Sequence, residues 1–102
     1  MRRNNVRSEE EIHQLFEAIL SLQTKDECYE FFSDLCTVNE VKTMALRLEV
    51  AKQLLEGATY LDIIEETQKG SAIIFRVKNC LKHGRGGFRT ILERLNMHGK
   101  QQ

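Results

Sequence analysis

Three capping-box sequences divide the first 40 residues of this 102-residue chain into helix-sized segments. Ser or Thr is followed three positions later by Glu in Ser8–Glu11, Thr24–Glu27 and Thr37–Glu40. In such a box the hydroxyl and the carboxylate satisfy amide groups that the first turn of a helix leaves unpaired. Thr59–Asp62 is a weaker fourth instance, and Ser71 is placed to cap a fifth helix. The chain contains no proline, so these signals predict a helical protein.

The apolar residues recur at helical spacing after each of these starts. Helix one carries one stripe from Ile12 to Leu20, and helix two carries one from Cys28 to Cys36. Helix three carries two stripes, namely Val41, Met44, Leu48, Ala51 and Leu55 on one side and Leu46, Val50 and Leu54 on another. A helix that is apolar on two faces must be buried on both, and a domain this small has little core, so the pattern predicts a partner subunit. Gly57 occupies the position of a left-handed residue that ends this helix.

Three more helices are predicted after Gly57: Tyr60 to Thr67, Ser71 to about Lys82, and a last helix that carries Phe88 to Leu95. The predicted fold is therefore all-α, with six helices and no strand. We expect residues 1–7 to be a flexible basic arm, residues 8–96 to be one helical domain, and residues 97–102 to be a tail.

The charges are segregated along the chain, although the net charge is zero. The segment 8–66 carries a net charge of −10, whereas the segment 67–102 carries +7. Such segregation indicates a polyanionic partner for one part of the surface. The alternative is that a basic helix docks on an acidic one within the fold.

Several functional classes find no support in the sequence. The longest apolar run is four residues, and the first residues lack the apolar stretch of a signal peptide, so we expect a cytoplasmic protein with reduced thiols. No nucleophile and base stand at a recognisable spacing, so no enzymatic activity is predicted. Core packing is a better interpretation than a metal site for the Cys and His residues, since no CxxC or HxxxH pair occurs; the residues considered are His13, Cys28, Cys36, His83 and His98.

Residues 59–82 have the dimensions of a helix-turn-helix: a short helix, a turn with a glycine, and a longer helix. Ile63, Ile74 and Val77 are spaced to lock the two helices together. The residues left pointing outward are Lys69, Ser71, Ala72, Ile73, Arg76 and Lys78. This pattern predicts a helix that enters the major groove of DNA.

Five short sequences carry a resemblance to a known family: LCTVNE at 35–40, RLEVAK at 47–52, TY at 59–60, RV at 76–77 and LERL at 92–95. Over residues 10–96 the chain resembles the YerC/YecD group of Trp repressor-like proteins. The resemblance implies an intertwined homodimer, with the N-terminal helices wound around the partner. It also implies one helix-turn-helix per subunit and a roughly palindromic operator.

The turn and the second helix depart from the family pattern. The chain reads QKGSAIIFRV at 68–77, which puts the turn glycine at Gly70 and replaces two small hydroxyl residues by Ile73 and Phe75. Ile73 can contact a thymine methyl. For Phe75 three placements stay open: under the first helix of the motif, in the groove, or in an exposed apolar patch. We expect altered operator preference with binding retained.

The resemblance also implies a ligand site, because Thr37, Arg47 and Arg76 match residues that grip tryptophan in Trp repressor. The glycine that makes room for the indole there is Val77 here. We therefore predict no cofactor and no tryptophan corepressor. The preferred interpretation pairs Arg47 with an acid, Glu49 or Glu40, and places Arg76 on a phosphate.

The predicted function is sequence-specific binding of double-stranded DNA by a homodimeric, nucleoid-associated transcriptional regulator of the repressor type. Ser71, Ala72 and Ile73 are assigned to base edges, and Gly70, just before them, is also predicted to bind DNA. The assigned phosphate contacts are Lys69, Arg76, Lys78 and Arg85. The alternative is a helical protein-interaction module that no longer reads DNA and that uses Ile73 and Phe75 as apolar contacts.

Overall fold

The computed structural model describes the backbone of residues 2–67 and 70–100 and the side chains of residues 7–67 and 70–96. These residues form six α-helices: α1 Arg2–Leu20, α2 Lys25–Leu35, α3 Val38–Leu55, α4 Tyr60–Thr67, α5 Ser71–His83 and α6 Gly87–Lys100. No strand occurs in the described part of the chain. The all-α, six-helix prediction is confirmed.

The chain divides into two compact units, the first ending at Val38 and the second beginning at Asn39. In the first unit none of the side chains described, residues 7–38, is buried. Its apolar stripe on α1 leaves Ile12, Phe16 and Leu20 exposed. A unit without buried side chains has no core of its own, so its apolar residues need another surface to cover them. The predicted arm, domain and tail boundaries, 1–7, 8–96 and 97–102, stay predictions.

The core lies in the second unit and joins three helices. It consists of Val50 and Ala51 from α3, Ile63 from α4, and Ile74 and Val77 from α5. Partly buried side chains of α6, among others, pack against this cluster. These contacts hold the inward face of α5 against α3 and α4.

The two apolar stripes of α3 have different environments. Leu46, Val50 and Leu54, the second stripe, belong to the core or pack against it. Of the first stripe, Met44, Leu48 and Leu55 are exposed. The chain thus buries one apolar face of α3 and leaves much of the other uncovered.

Two predicted helix starts are confirmed by their position or their hydrogen bonds. The Thr24 hydroxyl accepts a hydrogen bond from the Glu27 backbone N–H at 3.1 Å and caps α2. The Glu27 carboxylate accepts from the Gln23 N–H at 2.7 Å, one residue before the usual partner in a capping box. α3 begins at Val38, directly after Thr37, as predicted.

The capping box at α4, the weakest of the four in sequence, is fully reciprocal. The Thr59 hydroxyl accepts from the Asp62 backbone N–H at 3.2 Å, and the Asp62 carboxylate accepts from the Thr59 N–H at 2.9 Å. Aspartate therefore replaces the more usual glutamate of the box without losing either bond. The box sets where the first helix of the predicted helix-turn-helix begins.

Two predicted caps are wrong. α1 begins at Arg2 and runs through Ser8, so Ser8 caps no helix. Residues 2–7 contain neither proline nor glycine, and nothing there forces the chain out of the helix before Ser8. Ser71 is the first residue of α5, and Gly70 is its N-cap without a side-chain hydrogen bond. Glycine is accepted at an N-cap, so the cap moves one residue toward the turn.

The end of α3 confirms the role predicted for Gly57. Its φ of +98° lies in the region that glycine adopts without a Cβ penalty. The Gly57 N–H donates to the Leu54 carbonyl at 3.1 Å, and the Ala58 N–H donates to the Gln53 carbonyl at 2.9 Å. This pair of bonds is the Schellman motif, and it turns the chain toward α4.

The Asp62 cap makes the stability of this region depend on pH. Hydrogen bonds from the Thr59 backbone and side chain lower the pKa of Asp62 below its ordinary 3.8. A lowered pKa in the folded protein means that the contribution is complete above the ordinary pKa and is lost as the pH falls through the lowered one. We expect Asp62→Asn to lower the free energy of unfolding at about pH 5, and this difference from wild type to shrink toward about pH 2.

Urea unfolding across that pH range measures the difference. The matched control is Glu65→Gln, an exposed glutamate on the same helix. A difference between wild type and Asp62→Asn that stays constant over the range would contradict the role assigned to this carboxylate.

Candidate nucleic-acid interface

α4 and α5 pack as the helix pair that the sequence predicts. Ile63 of α4 is 0% exposed, and Ile74 and Val77 of α5 are 2% and 1% exposed in the same cluster. Full burial of three branched side chains supplies the apolar contact that holds two short helices together. The predicted locking role of these three residues is confirmed. Gln68 and Lys69, in the turn between the helices, lie outside the described residues.

The outward side of α5 carries most of the predicted contact residues. Ser71, Ala72, Arg76 and Lys78 are exposed, as is the N-cap Gly70. Ile73 differs, because it is half-buried and packs against the core. The prediction that Ile73 points outward is therefore wrong, because the core covers part of this side chain.

The 62% exposure of Phe75 excludes the first of its open placements, under the first helix of the motif, and is consistent with the other two, in the groove or in an exposed apolar patch. At 3.6 residues per turn it shares a face with Ala72 and Asn79, on the side away from Ile74 and Val77. Phe75 therefore does not pack into the core beneath α4.

Asn79 is a surface residue that the sequence analysis missed. It is exposed and lies one turn after Phe75 on the same face of α5. Its amide offers donors and an acceptor, the groups that pair with an adenine edge. The sequence carries no signal for it, because the exposed face of α5 is defined only by the packing of the helix.

All charged side chains of α5 are basic. The helix contains no acidic residue and carries Arg76, Lys78 and Lys82. Among the residues that the structure describes, none of these three cations forms an ion pair with a carboxylate. The positive charge of this surface is therefore not neutralised by the described acids of the chain.

Arg85 lies in a link between α5 and α6 whose shape depends on two glycines. The Gly84 N–H donates to the Cys80 carbonyl at 2.8 Å, and a Cβ at Gly84 would stand 2.5 Å from that oxygen. Gly86 has a φ of +81°. The sharp link holds Arg85 exposed just beyond the basic end of α5.

Other kinds of site find no support among the described residues. No cluster of three or more His, Cys, Asp or Glu side chains is arranged to hold a metal ion there. Cys28, Cys36 and Cys80 are free thiols. Within the same residues no helix combines the length and the apolar character needed to cross a bilayer.

The chain is similar to a known protein family and to solved structures. The family model for Trp repressor protein matches residues 10–96. The uncharacterized protein YerC of Bacillus subtilis (strain 168) is 51% identical over 85 residues, which cover 83% of this chain and 82% of YerC. The chain belongs to the Trp repressor family.

Two crystal structures of family members have the same fold. A candidate Trp repressor from Staphylococcus aureus superposes with a TM-score of 0.83 at 45% identity, covering 85% of this chain and 87% of that one. A TrpR-like protein from Eubacterium eligens ATCC 27750 superposes with a TM-score of 0.82 at 49% identity, covering 86% and 91%. The resemblance stated from the sequence is thereby confirmed.

Family membership directs attention to the three residues matched to a tryptophan site. Arg76 and Thr37 are exposed, whereas Arg47 is half-buried. Val77, which stands where tryptophan-binding members have glycine, is buried within the core.

Two acids, Glu49 and Glu40, were predicted as alternative partners of Arg47, and Glu49 is wrong. The Glu49 carboxylate accepts a hydrogen bond from the Gln53 side-chain amide at 2.8 Å, four residues along α3. The buried Nε of Arg47 has no hydrogen-bond partner among the described residues. An i,i+4 contact along the helix brings Gln53 to Glu49, whereas Arg47 and Glu49, two positions apart, point away from each other.

Proposed function

We propose that this protein is a homodimeric transcriptional regulator of the repressor type that binds a specific sequence of double-stranded DNA in the cytoplasm, at the nucleoid. One observation carries the proposal: α5 is fixed by a buried inner face and presents an exposed outer face that is free of acids. A rigid, positively charged helix on the surface suits a polyanion that has a groove wide enough to admit it.

The residues proposed to contact DNA, on α5 and beside it, divide by position into two groups. Ser71 and Ala72, in its first turn, face base edges when the helix end enters the major groove. The phosphate-contacting group consists of Arg76, Lys78, Arg85 and, from the turn, Lys69. Backbone N–H groups of the first turn, next to Gly70, add donors for a phosphate because no side chain caps them.

The homodimer is supported by apolar surface that the single chain leaves exposed. In the second unit, Leu48 and Leu55 of α3 and Leu95 of α6 line one groove, and Leu48 and Ile91 line another. In the first unit the stripe of α1 is uncovered. A second copy of the chain, intertwined with the first, is the occupant proposed for both, because membership of the Trp repressor family and the two-faced α3 point to the same partner.

A dimer with one helix-turn-helix per subunit reads two half-sites. The two half-sites of the operator are then expected in roughly palindromic arrangement, about one DNA turn apart. The operator preference is expected to differ from that of relatives with small residues at positions 73 and 75.

Selection of random duplex DNA by the purified protein at physiological salt tests the proposal. Enrichment of a sequence with two related halves is the expected result. The same selection with tryptophan added is expected to return the same sequence, because Val77 is buried in the core where tryptophan-binding members have glycine. A tryptophan-dependent sequence would overturn that expectation.

A protein-interaction module is the second candidate, and exposed Phe75 favours it, since exposed aromatic residues often anchor protein interfaces. Ile73 supports it less, because that side chain packs against the core. A folded dimer that enriches no duplex would favour the module over the regulator.

A further inference from the structure

Phe75 is the one large apolar side chain of α5 that is exposed. Its apolar neighbours on the helix have other environments: Ile74 and Val77 are buried, and Ile73 and Leu81 pack partly buried against the core. An aromatic ring that stays in contact with water lacks the favourable free energy that its burial would provide. The position therefore suits a ring that is covered when a ligand binds.

The surroundings of Phe75 identify the chemistry of that ligand. Four residues of α5 stand three or four positions from Phe75, with Cβ atoms about 5–6 Å distant on a helix: Ser71, Ala72, Lys78 and Asn79. Lys78 and Lys82 flank the face of Phe75, and α5 has no acid. The surface is thus a small apolar spot within positive charge, which matches an apolar group set in a polyanion.

In the major groove the apolar group on offer is the C5-methyl of thymine. We infer that Phe75 contacts the C5-methyl group of one pyrimidine in each half-site and so selects thymine there. The inference rests on the proposed function, because it concerns how the same helix distinguishes bases.

The size of the effect follows from the burial of one methyl group. Removing a methyl from an apolar contact weakens binding by about three- to fourfold. A dimer makes the contact twice, so removing both methyls weakens binding by roughly tenfold, since separate contacts multiply.

Deoxyuridine tests the inference because it lacks only this methyl group. In the duplex enriched by selection, each thymine is replaced in turn by deoxyuridine, and binding is measured for wild type and for Phe75→Ser. We expect one thymine in each half-site at which replacement weakens wild-type binding about three- to fourfold. At that thymine Phe75→Ser is expected to bind both duplexes equally. A cytosine and a 5-methylcytosine at the same position separate the methyl from the rest of the base, and the methylated form is expected to bind wild type more tightly.

Two control variants accompany the test. Phe75→Leu retains an apolar side chain and is expected to keep most of the deoxyuridine penalty. Leu61→Ser removes an apolar side chain that is 68% exposed on α4 and is expected to keep all of it. Thermal unfolding followed by circular dichroism verifies that each variant is folded.

Three outcomes overturn the inference. A wild-type protein insensitive to deoxyuridine at every position has no methyl contact of this kind. An equal penalty in wild type and Phe75→Ser assigns the methyl to another residue. In both cases the enriched sequence leaves the proposed function standing, whereas a selection that enriches nothing removes the proposed function and the inference together.

Discussion

Raising the salt concentration from about 50 to about 200 mM is expected to lower the affinity of this protein for its operator on the order of 10⁴-fold. The reason is the release of counterions when cations neutralise phosphates. Lys69, Arg76, Lys78 and Arg85 supply four such cations in each subunit, and therefore eight in the proposed dimer. At about 0.9 counterions per neutralised phosphate, the slope of log affinity against log salt is about −7.

Arg76→Ala isolates one of these contacts. It removes one cation per subunit, so we expect the slope to become less steep by about 2. Arg76 is exposed, so the helical content and the dimer are expected to be unchanged. Fluorescence anisotropy on the enriched duplex at several salt concentrations measures the slope.

The matched control is Lys42→Ala, an exposed lysine on α3 outside the proposed interface. It is expected to leave the slope at the wild-type value. Loss of helicity in Arg76→Ala would assign this arginine to the scaffold. If the slope of log affinity against log salt is near zero in wild type, α5 does not bind phosphates.

Leu48→Asp is expected to convert the proposed dimer into monomers at micromolar concentration. Leu48 lies on the uncovered stripe of α3 and lines both grooves that we assign to the partner. The symmetry of the dimer places the substitution in the interface twice, and a buried carboxylate without a partner costs several kcal/mol. Sedimentation equilibrium measures the change in mass.

Leu61→Asp introduces the same charge on α4, at a side chain more exposed than Leu48 and outside both grooves. We expect this control to remain a dimer. A Leu48→Asp protein that stays dimeric would exclude this face of α3 from the interface. A wild-type protein that sediments as a monomer would contradict the homodimer itself.

The helices were predictable because their signals are local. The Thr24 and Thr59 caps each depend on residues three or four positions apart, and Gly57 ends α3 through bonds within five positions. Such contacts form wherever the right residues occur at the right spacing. Ser8 and Ser71 show the limit, because the same residue types stand inside a helix when the chain before them continues or caps it differently.

The candidate interface was predictable in its chemistry and less so in its surface. The absence of acids from α5 and the cations Arg76 and Lys78 are visible in the sequence. Their exposure depends on which face of α5 the core covers. Asn79 was missed because an isolated asparagine in a helix has no sequence signal of function until the exposed face of that helix is known.

The amino-acid sequence by itself determined the six helices, their inner boundaries and the segregation of charge, because these arise from neighbours along the chain. The tertiary structure alone decided between Ile73 and Phe75, which are both apolar and only two positions apart. Two positions correspond to about 200° around a helix, so only one of them can face the core. The packing of α5 against α3 and α4 places Ile73 against the core and leaves Phe75 exposed.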